Sequence, residues 1–124
     1  MMEVAKIKVL ICDDSMLVRR QLKTLLENEF NCEVVEAANG QEAIAKYQSE
    51  KPKLVLMDIV MPECDGLEAL KQIRSFDGKA QVVMVSSTGT SEKLITALKL
   101  GAVDFIQKPF EQEQISKAIA NVRG

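Results

Sequence analysis

The sequence predicts an α/β fold, a doubly wound, five-stranded parallel sheet built in (βα)5 order. Three observations lead there. Short apolar runs alternate along the chain with segments of helical spacing, the pattern of strands joined by crossover helices. The runs at 54–57 and 82–85 are apolar at every position, as expected of central parallel strands covered on both faces. Five such units fill 124 residues, so the chain is expected to be one domain, 1–124, without a second domain, long linker or repeat.

The elements follow in order. A first strand is expected at 7–12, Ile7-Lys8-Val9-Leu10-Ile11-Cys12, followed by a helical stripe of Val18, Leu22, Leu25 and Leu26. A strand at 33–37 precedes the stripe Ala43, Ile44 and Tyr47. The strand at 53–57 precedes Leu67, Leu70 and Ile73, a helix whose start is signalled by Asp65 with Glu68 three residues on, a capping box. A strand at 81–86 leads to a helix opened by Ser91 and carrying Leu94, Ile95 and Leu98, with Gly101 marking its end. The last strand, 103–106, is followed by Ile115, Ala118, Ile119 and Val122. Right-handed crossovers then place helices on both faces of the sheet.

Composition excludes several classes. A net charge of −2 supplies no attraction for nucleic acid or an anionic membrane. With no Trp and one Tyr, no aromatic platform for single-stranded nucleic acid is available. No apolar run approaches the roughly 20 residues of a membrane helix. Residues 1–6 lack the apolar centre of a signal peptide. Cys12, Cys32 and Cys64 are odd in number and widely spaced, which fits neither a disulfide framework nor a zinc site. The expected setting is the reducing cytoplasm.

Four charged positions fall where apolar runs stop. Asp13 and Asp14 end the first run, Asp58 the third, and Lys108 follows Val103-Asp104-Phe105-Ile106-Gln107. Ligands of open parallel sheets bind beyond the carboxyl ends of the strands, so these groups are expected at one edge. Converging carboxylates repel one another, and a divalent cation removes the conflict. Mg²⁺ suits the set, since it binds a few carboxylates, keeps several waters and accepts phosphate oxygens. Ca²⁺ wants more protein oxygens, and Zn²⁺ wants His or Cys in a chain that has no His.

Each residue alone has a plainer explanation. Asp13 or Asp14 could cap the first helix, and Asp58 could open a turn. Lys108 before Pro109 could be a solvated lysine, and Ser86 or Ser87 a strand-end residue. Jointly they describe a nucleophile, a metal-binding pair and a phosphate-binding cation. No His or Cys base is placed to make Ser86 a nucleophile, which argues against hydrolase use of that hydroxyl. Phe105 reads as core, Cys12 as a small hydrophobe, and Met57, Met61 and Met84 as core filler.

The residues resemble the receiver domain of bacterial response regulators, the CheY-like family, from Ile7 to Val122. The matching pieces are Val9-Leu10-Ile11-Cys12-Asp13-Asp14-Ser15; Val55-Leu56-Met57-Asp58-Ile59-Val60-Met61-Pro62 with Asp65-Gly66; Met84-Val85-Ser86; and Phe105-Ile106-Gln107-Lys108-Pro109-Phe110. The resemblance implies a flavodoxin-like strand order of 2-1-3-4-5. It implies that Asp58 is the phosphoacceptor, and that Asp13, Asp14, Asp58 and the Val60 backbone carbonyl hold Mg²⁺. It also implies that Lys108 contacts the phosphoryl group, with a cis bond to Pro109. Ser86 and Phe105 take the switch positions, with Thr88-Gly89-Thr90 as a pliable loop. The resemblance further implies that Val60 and Thr88 flank the path of attacking water.

On this reading the chain is a stand-alone phosphorelay receiver that accepts a phosphoryl group from a sensor histidine kinase. It would be no enzyme beyond assisting its own phosphorylation and dephosphorylation. Output runs through protein–protein contact by a monomer, in chemotaxis for example, on a flagellar motor switch or a phosphatase. Three rivals stand beside it. One is a receiver fragment of a longer DNA-binding transcriptional regulator. Another is a Mg²⁺-dependent phosphatase with an aspartyl-phosphate intermediate, against which the adjacent Asp13-Asp14 and distant Asp58 argue. The last is a purely structural pseudo-receiver, which the acidic set and Lys108 argue against.

Overall fold

The computed structural model describes residues 6–61, 65–87 and 91–123. Strands and helices alternate as β1 (Ile7–Cys12), α1 (Met16–Phe30), β2 (Cys32–Ala37), α2 (Gly40–Glu50) and β3 (Leu54–Met57). They continue as α3 (Gly66–Phe76), β4 (Val82–Ser86), α4 (Ser91–Lys99), β5 (Asp104–Gln107) and α5 (Gln112–Arg123). The strands form one sheet in the order β2-β1-β3-β4-β5, and every pairing is parallel.

Alternation along the strands divides the core into two layers. Leu10, Cys12, Val55, Met57, Val82 and Met84 point to the face that α2, α3 and α4 cover with Ala43, Tyr47, Ala69, Leu70, Ile73 and Ala97. Val9, Ile11, Leu54, Leu56, Val83, Val85 and Ile106 point to the other face, covered by Leu22 and Leu26 of α1 and Ile115, Ala118 and Ile119 of α5. Burial on both faces is why β3 and β4 read as unbroken apolar runs.

The expected elements are all present, with boundaries shifted by one residue at several ends. The largest difference in packing is on α4. There Ile95 and Leu98 are about half exposed, and Ala97 is the residue pressed into the core. A stripe chosen by side-chain size pointed to the wrong face: Ala97 lies on the buried side of the helix and Ile95 and Leu98 on the exposed side. Val103, the expected start of the last strand, is likewise half exposed; its N–H donates to the Val82 carbonyl at 2.9 Å, just before the β5 ladder begins.

Helix ends follow their signals. Asp65 accepts from the Glu68 N–H at 2.9 Å, as a capping residue should. Gly101 has φ 107°, a left-handed conformation that glycine adopts without strain. The side chain of Ser91 lies outside what is described, as do Pro62, Cys64, Thr88, Gly89 and Thr90, so the expected roles of the loop and of Thr88 fall there too.

Candidate functional site

The carboxyl ends of four strands deliver the site. Backbone bonds continue one residue past the regular ladder and hold each functional residue to its neighbour. The Asp13 N–H donates to the Ala37 carbonyl at 3.1 Å, the Asp58 N–H to the Cys12 carbonyl at 2.9 Å, and the Lys108 N–H to the Ser86 carbonyl at 3.0 Å. Asp13, Asp58 and Lys108 are therefore placed by the sheet itself rather than by free loops.

The first helix is capped by neither acid of the pair. Ser15 does that work, its hydroxyl accepting from the Val18 N–H at 3.2 Å. Asp13 instead accepts from the Ser15 N–H through Oδ1 at 2.9 Å, while Asp14 is exposed. Carboxylate oxygens of Asp13, Asp14 and Asp58 lie within 4.8 Å of one another. Two of the three residues, Asp13 and Asp58, are buried at 3% and 7% exposure. An oxygen-only set of one open and two sheltered carboxylates fits Mg²⁺, whose remaining positions stay with water or phosphate.

Lys108 is shared between the buried acids. Its Nζ lies 2.5 Å from Asp13 Oδ2 and 3.4 Å from Asp58 Oδ2, so Asp13 is its main partner. Asp58 also accepts from the Ser86 hydroxyl, and Ser86 is fully buried. Burial raises the Asp58 carboxyl above the usual carboxylate range, and the Asp13 charge adds to this. The Lys108 charge and the bonds from Ser86 and Lys108 oppose the rise without cancelling it. Without a metal, the site thus resists carrying its full negative charge.

The remaining expected residues lie around this centre. Val60 is half exposed between buried Ile59 and Met61. Phe105 is partly buried against the α2–α4 side of the core, and its partner in the β4–β5 register is Met84. The Lys108–Pro109 bond is cis. Cys12 is core: its thiol donates to the Asn39 carbonyl at 3.3 Å, and burial pushes its ionisation upward. Met57, Met61 and Met84 are buried as expected.

Two contacts at the site could not be read from the sequence, where Gly66 stands only as part of the Asp65-Gly66 match and Arg19 has no distinguishing mark. Arg19 of α1 donates through Nη1 to the Asp13 carbonyl at 2.6 Å and through Nε to Glu36 at 3.2 Å. Gly66 brings the start of α3 against the Asp58 backbone, its N–H donating to the Ile59 carbonyl at 2.7 Å. An arginine on a helix and a glycine at its start look ordinary until the fold supplies their neighbours.

Among the described residues, no helix is long and apolar enough to cross a membrane. The model of the response regulator receiver domain matches residues 9–120. The chemotaxis protein CheY of Listeria monocytogenes is 44% identical over 91% of this chain and 95% of its own length. CheY of Bacillus subtilis is 43% identical over 90% and 93%. The probable transcriptional regulator ycf27 of Cyanophora paradoxa is 36% identical over 98% of this chain and 50% of its own length. Among solved structures, the CheX–CheY–BeF₃–Mg²⁺ complex of Borrelia burgdorferi has a chain with TM-score 0.87 and 35% identity, covering 95% of this chain and 90% of that one. The acidic edge, the strand order and these relatives agree, and the chain belongs to the response regulator receiver family of two-component signalling.

Proposed function

We propose that the protein, as one receiver domain over 1–124, takes a phosphoryl group on Asp58 from the phosphohistidine of a sensor histidine kinase and signals by protein–protein contact. One observation carries this reading: a buried carboxylate stands at the sheet edge among a second buried carboxylate, a buried hydroxyl and an ammonium. An Asp58 oxygen attacks phosphorus, the bond from phosphorus to the imidazole nitrogen breaks, and its electron pair leaves with the imidazole. Asp13, Asp14, Asp58 and the Val60 carbonyl are the residues that would hold Mg²⁺, which when bound supplies positive charge to the phosphoryl oxygens.

The chain's own groups do the rest. Lys108 has two acidic partners at unequal distance and can exchange one for a phosphoryl oxygen. Ser86 already donates to Asp58 and can donate to the phosphoryl group in its place. Ser86 and Phe105 lie on adjacent strands two rungs apart, which favours a coupled movement of hydroxyl and ring. The ring then alters the face formed by α4, β5 and α5, where Ile95, Leu98 and Val103 are exposed apolar surface for a partner.

The similarity to curated chemotaxis proteins supports a chemotaxis setting in the cytoplasm, and the similarity to a CheX-bound CheY supports output onto a second protein. A motor switch or a phosphatase would serve as that protein. A receiver joined to an effector is the second reading, supported by the match to half of ycf27. The reading frame beyond Gly124 decides between them.

Incubation with Mg²⁺ and acetyl phosphate tests the central assignment. Intact mass is expected to rise by one phosphoryl group in the wild type and not in Asp58→Ala. An unmodified wild type, or an equal gain in the variant, sinks the proposal. Decay of the phosphoprotein supplies a second check. Val60 has no polar group to orient water, so Val60→Asn is expected to dephosphorylate severalfold faster with Mg²⁺ saturating. Equal or slower decay in the variant would remove Val60 from that role.

A further inference from the structure

We infer that Arg19, anchored by Glu36, is a positioning residue that fixes the backbone carrying Asp13 and Asp14 and so sets the affinity of the acidic edge for Mg²⁺. The inference rests on the magnesium reading above. Arg19 lies one turn into α1, and its side chain is only 14% exposed. One arm of the guanidinium holds the Asp13 carbonyl at 2.6 Å, and Nε reaches Glu36 Oε1 at 3.2 Å. A planar guanidinium fixes the angle between two such bonds, which an ammonium cannot do.

The bond falls at a sensitive point. The Asp13 carbonyl belongs to the peptide that joins Asp13 to Asp14. Asp13 is otherwise held by its N–H on Ala37, by the Ser15 N–H on Oδ1 and by Lys108 on Oδ2. Asp14 is exposed, so its carboxylate takes its place largely from the backbone beneath it. Rotation of that one peptide would swing Asp14 relative to Asp13 and Asp58. Arg19 is the group that stops the rotation. Glu36 sits at the end of β2, so the restraint is referred back to the sheet.

Charge and position predict opposite signs, and this makes the inference testable. As a charge alone, Arg19 opposes a cation, and neutralising it should tighten Mg²⁺ binding. As a positioning group, its loss frees the peptide and should weaken binding, by about tenfold for an outer partner of a metal ligand. Calorimetric titration of the full chain with MgCl₂ at constant ionic strength distinguishes the two. Arg19→Gln is expected to bind about tenfold more weakly, and Arg19→Lys to fall between it and the wild type. Glu36→Gln keeps the Arg19 charge but loosens its anchor, and is also expected to bind more weakly.

Glu50→Gln removes the 3.0 Å partner of Lys8 in the same sheet, away from the acidic edge, and controls for general loss of stability. Its affinity should match the wild type. If Arg19→Gln binds Mg²⁺ as tightly as the wild type or more tightly, the inference is overturned. Should that variant fail to fold, unchanged affinity in Glu36→Gln overturns it equally. A wild type that binds no Mg²⁺ at all removes the magnesium reading itself, and this inference with it.

Discussion

Gly66→Ala is expected to lower stability by about 3 kcal/mol, a large effect for the addition of one methyl group. The reason is space rather than conformation, since Gly66 opens α3 in ordinary helical geometry. A Cβ there would overlap the Asp58 carbonyl oxygen and stand 2.8 Å from the Asp58 carbonyl carbon and 2.9 Å from the Ile59 Cα. All three atoms are backbone, so no flexible side chain can turn aside. The Gly66 N–H is bonded to the Ile59 carbonyl at 2.7 Å, which locks the two segments at this close approach. Relief requires α3 or the Asp58 segment to move, and either movement disturbs the phosphoacceptor. Phosphoryl gain from acetyl phosphate should therefore fall along with stability. Gly78→Ala is the control, because a methyl group there meets nothing within 4 Å. Urea unfolding midpoints compare the two, and a Gly66→Ala loss below about 1 kcal/mol would show that the segments yield more easily than their contacts suggest.

Much of this arrangement was legible before any coordinates. β3 and β4 are central strands with both faces covered, so their unbroken apolar runs Leu54–Met57 and Val82–Val85 had no competing explanation. Asp13, Asp58 and Lys108 could be read because each interrupts an apolar run at its carboxyl end. What stayed hidden depended on neighbours distant in sequence. Arg19 meets Glu36 across 17 positions, and nothing local distinguishes it from exposed Arg20. The steric need at Gly66 arises from the return of the chain onto Asp58. The preference of Lys108 for Asp13 over Asp58 joins residues 95 positions apart and has no local mark in the sequence. On α4, large side chains outweighed the small one in the reading, whereas the folded helix turns Ala97 into the core and leaves Ile95 and Leu98 half exposed. Local pattern thus revealed which residues are special, and three-dimensional neighbours revealed what holds them.

Asp58→Asn should raise the unfolding midpoint of the metal-free protein at neutral pH, even though it removes the residue on which the proposed chemistry depends. The Asp58 carboxyl is raised by burial first and by the Asp13 charge second, so the folded protein holds this proton more tightly than the unfolded chain does. Below the ordinary carboxylate value both states are protonated, and ionisation carries no penalty. As pH rises past that value the unfolded chain ionises first, and stability falls until the folded group has ionised as well. The advantage of Asn should accordingly be absent near pH 3, emerge above about pH 4 and persist to neutrality. Lost pairing does not reverse the sign. Lys108 keeps Asp13, at 2.5 Å its closer partner, and the Ser86 hydroxyl can still donate to the amide oxygen. Mg²⁺ should then close or invert the gap, because a ligand that binds only the folded state adds stability that grows with the logarithm of its concentration relative to Kd, and the variant is expected to bind it more weakly. Unfolding midpoints in EDTA and in excess Mg²⁺, at acidic and neutral pH, test each step. If the wild type is the more stable in EDTA at neutral pH, or if Mg²⁺ stabilises both proteins equally, then Asp58 does not carry unrelieved negative charge and the metal does not sit beside it.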